Sequence, residues 1–409
     1  MIETRKLYRR AILISACTLA AAVSLGETRA APVYTVIYDF AGFANGGFDG
    51  ARPAAEVTFD KAGNFYGTTI YGGRYNYGTV FGIAAGGTYT QLHVFSGDDP
   101  KTGGAQPEGG VIVTKSGDLS GTTFFGGTNN YGTSWLLKAS GAYSVQHNFD
   151  DSDDGPTGTL LSAKGNSYGA TLYGGGHGYG TIWKLAKRGK FSLLHGFTLT
   201  GSDGAYPNGG LVQDQNGNLY GTTSQGGTAS CACGTVFRMA ADGSNFTTLY
   251  SFTGGADGKF PLAPLALDKD GTLYGTTANT IYSYNCDATG CGTVWQLTPD
   301  GTFTVLHTFA GGKDGATPEG NLLKIGTTLY GTTQYGGSSG CNGNGCGTVY
   351  KLTAKPRGKY KILHRFAEGT SDGQNPLAGL AQGPNGKLYG TTYQGGLYNG
   401  GTVFSVTKK

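Results

Sequence analysis

The chain has 409 residues, 76 of them glycine, with 14% charged and 12% aromatic. Disorder is excluded, because a disordered chain lacks aromatic and β-branched residues to bury, whereas here Tyr and Phe recur with Val, Leu and Thr between glycines. The formal charge is +4, of which five basic and two acidic residues in 1–30 supply +3, leaving no basic face for nucleic acid.

Residues 1–30 have the form of a secretory signal peptide: basic Arg5, Lys6, Arg9 and Arg10, an apolar stretch from Ala11 to Leu25, and small residues up to Ala30. The apolar run is shorter than the ~18 residues a membrane helix needs, which disfavours a retained anchor. Arg9-Arg10 leaves twin-arginine export open, and Ile14-Ser15-Ala16-Cys17 leaves a lipoprotein box open. Beyond Ala30 no second span and no C-terminal anchor are expected, so the protein should reach the periplasm, the cell surface or the exterior.

From residue 33 four motifs recur seven times in fixed order. LYGTT-like strands carry Gly67, Gly121, Gly169, Gly221, Gly275, Gly331 and Gly390; GTVF-like strands start at Gly78, Gly132, Gly180, Gly234, Gly292, Gly347 and Gly401. LHxF-like strands end at Phe40, Phe95, Phe149, Phe197, Phe252, Phe309 and Phe366. DGxxP precedes a small-residue strand with Pro53, Pro107, Pro207, Pro261, Pro318 and Pro376, and with Pro156 displaced in one copy. The LYGTT glycines lie 48 to 59 residues apart, room for four short strands, which is a propeller blade. Turns such as Asn216-Gly217 and Asp242-Gly243 suit tight hairpins.

The fold expected is an all-β, seven-bladed β-propeller of four-stranded antiparallel blades occupying 31–409 as one domain. Blades are expected at about 49–97, 103–150, 154–198, 203–253, 257–310, 314–367 and 372–409 plus 33–41. The chain opens on a lone LHxF-type strand (Tyr34 to Phe40) and finishes after a GTVF strand, so the N-terminal strand should complete the last blade and close the ring.

LYGTT, a Gly-Gly loop, and GCGTVFKL-like and LHxF-like strands, in order and in phase over Val33 to Lys409, make the chain resemble the GloVer-type tandem repeat family of bacterial choice-of-anchor exported proteins. The resemblance implies export and a repeat architecture, and supplies no catalytic residues. A C-terminal anchor of the kind that names the group is not expected in this chain. The Trp-Asp pair of WD40 blades is missing, and kelch repeats share only a Gly-Gly pair.

Six cysteines form local pairs just before GTV strands: Cys231 with Cys233, Cys286 with Cys291, Cys341 with Cys346. Disulfides are the expected reading in an oxidising compartment, with the Cys-Ala-Cys bridge left open; zinc would need ligands converging from separate blades. His93, His147, His195, His307 and His364 share one place in LHxF strands where Tyr38 and Tyr250 stand in the other copies, which favours a structural role; only His177 lies off the repeat. Asp49, Asp154, Asp203, Asp257, Asp314 and Asp372 read as turn aspartates rather than calcium ligands. Asp268 and Asp270 have the look of a small calcium loop that lacks its later glutamate, and the run Asp150, Asp151, Asp153 and Asp154 reads as a solvated loop, with low-affinity calcium as its alternative.

With the small-residue strand innermost, loops between second and third strands share a face with the blade-to-blade linkers. They carry Tyr71, Arg74, Tyr75, Asn76, Tyr77, Phe125, Asn129, Asn130, Tyr131, His177, Tyr179, Tyr282, Tyr284, Asn285, Tyr335, Tyr393, Gln394, Tyr398 and Asn399. Flat aromatic faces beside amides suit sugar rings or a protein surface; the rival reading is turn geometry and packing. The function expected is a non-catalytic exported scaffold binding extracellular glycan or protein. The alternatives are a polysaccharide hydrolase or lyase using Glu108, Glu319 and His177, and a structural cell-surface or matrix protein. No cofactor, no metal and a monomeric state are expected.

Overall fold

The computed structural model describes residues 31–42, 48–97, 99, 103–279, 286 and 290–409; the signal expected at 1–30 lies outside them. Seven four-stranded antiparallel sheets follow one another along the chain, and the all-β propeller expected from the repeat is what forms. In the fourth blade the strands run, from inside to outside, Val212–Gln213, Asn218–Thr223, Thr235–Ala240 and Thr247–Ser251. The seventh comprises Ala381–Gln382, Leu388–Thr392 and Thr402–Val406, completed by the N-terminal strand Tyr34–Asp39. That clasp pairs antiparallel from Tyr34↔Val406 to Asp39↔Thr402, so the outer edge of Thr402–Val406 is not left free.

Each motif residue has a physical task. The LYGTT glycine pairs across the sheet with the GTVF aromatic, Gly67 with Phe81 and Gly121 with Trp135, and a Cβ there would overlap that ring. The GTVF glycine sits at a φ of 91 to 112°, and an added Cβ would lie 2.5 to 2.7 Å from the next blade's inner proline Cδ. Only glycine meets both conditions. Pro156 obeys this contact with Gly132 like the others, so the proline described as displaced in sequence is in place in space. The missing linker residue instead moves the turn role from Asp154 to Asp153, whose carboxylate takes the His147 ring and the Asp150 amide.

The last LYGTT threonine and the GTVF threonine share a buried hydroxyl contact of 2.7 to 2.9 Å in all seven blades. In four blades the threonine before it reaches the next blade, as Thr68 Oγ1 donating to Gly109 O and, across the closure, Thr391 Oγ1 donating to Ala55 O. Between neighbouring blades lie buried LHxF and GTVF rings such as Phe95 with Trp135 and Phe252 with Trp295, so the core is a ring of wedges.

The recurring histidine or tyrosine of each outer strand stacks flat on the first ring of the next outer strand. The seven stacks, from Tyr38 on Tyr89 to His364 on Tyr34, have centroids 3.7 to 4.2 Å apart and planes within 8°. Beneath them, linker aspartates hold the polar ends: His195 to Asp203 at 3.3 Å, His307 to Asp314 at 3.2 Å, His364 to Asp372 at 3.1 Å, Tyr38 to Asp49 at 2.8 Å and Tyr250 to Asp257 at 3.0 Å. Burial pushes the His93 ring, which stacks on Tyr143, down to a pKa of about 4.

Candidate ligand-binding face

The linker entering a blade pairs with that blade's loop between second and third strands: Gly50–Ala51 with Tyr71–Gly72, Gly204–Ala205 with Gln225–Gly226, and Gly373–Gln374 with Gln394–Gly395. Single bridges do the same at Ala105↔Phe125 and Ala316↔Tyr335. Both kinds of loop therefore occupy one face. Of nine large apolar side chains exposed among the described residues, six stand on these loops: Tyr75, Tyr77, Phe125, Tyr173, Leu397 and Tyr398.

Between the first and second blades, Tyr77, Gly97, Ala105, Gln106, Phe125 and Asn130 line a groove of ≈ 510 Å³. It brings together three residues singled out from sequence and adds the Gln106 amide. Arg74, Asn76, Asn129, His177 and Asn399 are exposed on neighbouring loops, and Tyr71, Tyr393 and Gln394 are half-buried. Tyr131, Tyr179 and Tyr335 are half-buried against the blade cores. Asn76, Asn130 and Asn399 hold left-handed backbone, and each Oδ1 accepts a bond of 3.0 Å from Gly72, Gly126 or Gly395, which is turn chemistry. Tyr282, Tyr284 and Asn285 lie outside the described residues.

A ring at the mouth escapes sequence reading. The residue before each inner proline adopts φ between 54 and 68°: Arg52, Gln106, Gly155, Tyr206, Phe260, Thr317 and Asn375. Its N–H donates to the preceding blade's loop and its carbonyl accepts from its own blade, as Gln106 does with Tyr77 O and Phe124 N. A residue before proline ordinarily prefers extended backbone, so these two bonds impose the conformation. The side-chain types differ at all seven positions, so composition carries no trace of the ring.

Deeper in the channel Glu56, Glu108, Glu319, Thr159 and Asn321 line a cavity of ≈ 100 Å³. Asn321 Nδ2 donates to Glu56 Oε2 at 2.7 Å past the seventh blade's Gly379, where a Cβ would strike Asn321. Burial raises the Glu56 carboxyl, against the Asn321 bond, and pushes Glu108 and Glu319 up to about 7. Asp203 and His177 do not join them: Asp203 is bound to His195, and His177 is exposed on a loop. Among the described residues no three His, Cys, Asp or Glu side chains converge as a metal-binding group.

On the same loops of blades four to six, disulfides join Cys231 to Cys233, Cys286 to Cys291 and Cys341 to Cys346. All three pairs are bridged, including the Cys-Ala-Cys pair left open from sequence. Such bridges fit an oxidising compartment. Among the described residues no helix is long and apolar enough to cross a membrane.

The sequence profile described as the Gloeobacter/Verrucomicrobia repeat matches residues 27–158, 139–343 and 234–409. No curated protein matches the sequence. Among solved structures the chain is similar to an oligogalacturonate lyase in complex with manganese, with a TM-score of 0.55, 11% identity and coverage of 88% of this chain and 89% of the other. It is also similar to a GH74 enzyme of Niastella koreensis, with a TM-score of 0.52, 15% identity and coverage of 77% of this chain and 46% of the other. Those identities establish a shared fold and carry no activity across.

Proposed function

The chain belongs to the Gloeobacter/Verrucomicrobia repeat family, and from that premise we propose that it is an exported binding propeller whose loop face takes extracellular glycan. The observation that carries this reading is the groove between blades one and two, where two aromatic faces, Tyr77 and Phe125, stand with two amides, Gln106 and Asn130. Aromatic faces cover the apolar side of a sugar ring, and amides bond its hydroxyls. At ≈ 510 Å³ the groove falls within the usual 300–1,000 Å³ of small-ligand sites.

A second reading rests on Glu108 and Glu319, which line one cavity and carry carboxyls raised to about 7, within the range of a general acid. The cavity's ≈ 100 Å³ is below the size of a ligand site, which favours binding over hydrolysis or lysis.

A glycan array probed with purified 31–409 tests the proposal. Signal above an unrelated propeller, lost in the Tyr77→Ala/Phe125→Ala double variant, is expected; no such signal ends the glycan reading. Chain shortening of a bound polysaccharide by wild type but not Glu319→Gln would revive the enzyme.

A further inference from the structure

Next to the groove residue Gln106 in the mouth ring stands Arg52, the ring's one cation. Its backbone is fixed at φ 57°, with N–H donating to Gly400 O at 2.6 Å and carbonyl accepting from Ile70 N at 3.2 Å. The exposed guanidinium lies over two tyrosine rings from adjoining blades, 5.6 Å from the centroid of Tyr71 and 5.2 Å from that of Tyr393. One Nη donates to Tyr393 Oη at 3.3 Å, using one of five N–H groups. No ion pair among the described residues engages it. The nearest acid in the linker, Asp49, gives its oxygens to Tyr38 Oη and the amides of Ala41 and Gly42.

A strained backbone position thus holds a planar cation, braced on two aromatic faces and without a carboxylate, at the opening where a groove-bound sugar chain would continue. Guanidinium N–H groups match a carboxylate in bidentate fashion, and aromatic bracing limits the freedom lost on binding. We infer that Arg52, with Tyr71 and Tyr393, forms an anion subsite and that the ligand is an oligosaccharide bearing ring carboxylates. This inference rests on the glycan reading above.

Calorimetric titration of 31–409 with a uronic-acid hexasaccharide, a sulfated hexasaccharide and a neutral hexasaccharide tests it, using wild type and Arg52→Asn. Asn375 occupies the equivalent left-handed position, so this variant suits the backbone. The uronate is expected to bind roughly tenfold tighter than the neutral chain, the lower range for bonds to a charged group. In Arg52→Asn that preference should vanish while neutral affinity stays unchanged. Equal affinities in wild type, a preference untouched in the variant, or a preference for the sulfated chain alone would overturn the carboxylate subsite and leave the groove proposal standing. Failure of all three to bind would remove both.

Discussion

Blades four to six and blades seven, one, two and three use one loop position for different purposes. On the first arc the loop before the GTV strand is tied by a local disulfide in each blade, with Cys233, Cys291 and Cys346 buried under the sheet end. On the second arc the described loops have no bridge and put Tyr75, Tyr77, Phe125, Tyr173 and Tyr398 in solvent. The strands beneath are alike in both arcs, down to the threonine pairs and the aromatic over glycine. Ring architecture and loop content are therefore separable: the framework lies in strand residues, and loops vary without disturbing it.

That separation can be broken in four ways. The largest effect tests whether the clasp on the open arc equals a continuous blade on the stapled arc. Phe40 and Phe252 hold equivalent places, each 0% exposed, and Phe40→Ala and Phe252→Ala should each cost about 3–5 kcal/mol by urea unfolding. A much smaller loss for Phe40→Ala would mean the N-terminal strand closes the ring weakly. Next, replacing Cys286 and Cys291, or Cys341 and Cys346, by alanine should cost about 2 kcal/mol per bridge while leaving saccharide affinity unchanged. Altered affinity would show that the arcs are coupled.

The third concerns the channel shared by both arcs. Glu319 rises from 4.5 to about 7 on folding, so the folded state holds a proton that the unfolded state releases between those values. Stability from this group is present below pH 4.5 and is lost as pH rises through 7. Glu319→Gln should therefore match wild type near pH 4 and exceed it at pH 8 by roughly 1–3 kcal/mol, allowing for channel water. Parallel stability curves across that window would contradict a buried, protonated carboxyl. The smallest change in stability is expected for Tyr77→Ala/Phe125→Ala, within about 0.5 kcal/mol, since both rings are exposed. A large fall in melting temperature would make them packing residues and remove the groove's claim to be a surface.

The framework was legible because each motif residue answers a fixed steric demand. Gly78 must admit Pro107, Gly67 must lie under Phe81, and such demands recur in the chain as glycine and proline at set spacing. The site was legible only in part. Tyr77, Phe125 and Asn130 stood out by residue type and do line one groove, whereas Tyr131, Tyr179 and Tyr335, of the same type, are half-buried against the blades. Burial of a loop tyrosine depends on the neighbouring blade, which no local pattern encodes. Gln106 and Arg52 were missed because their left-handed backbone is imposed by bonds to two blades rather than by their own propensity. Tyr173 was missed although it follows an LYGTT-type strand at the place of Tyr71 and Phe125, a signal that alignment of the copies would have supplied.

The mouth ring has a consequence for how such a protein can change. The same pair of main-chain bonds recurs at each of its seven positions, so at the exposed or half-buried ones, Arg52, Gln106, Tyr206 and Phe260, a substitution changes one side chain around the opening and leaves the backbone bonds of the other six in place. New specificities are then reachable by single steps, limited chiefly by which amino acids tolerate a left-handed turn, and a library randomised at these codons should keep its fold while its members diverge in what they retain.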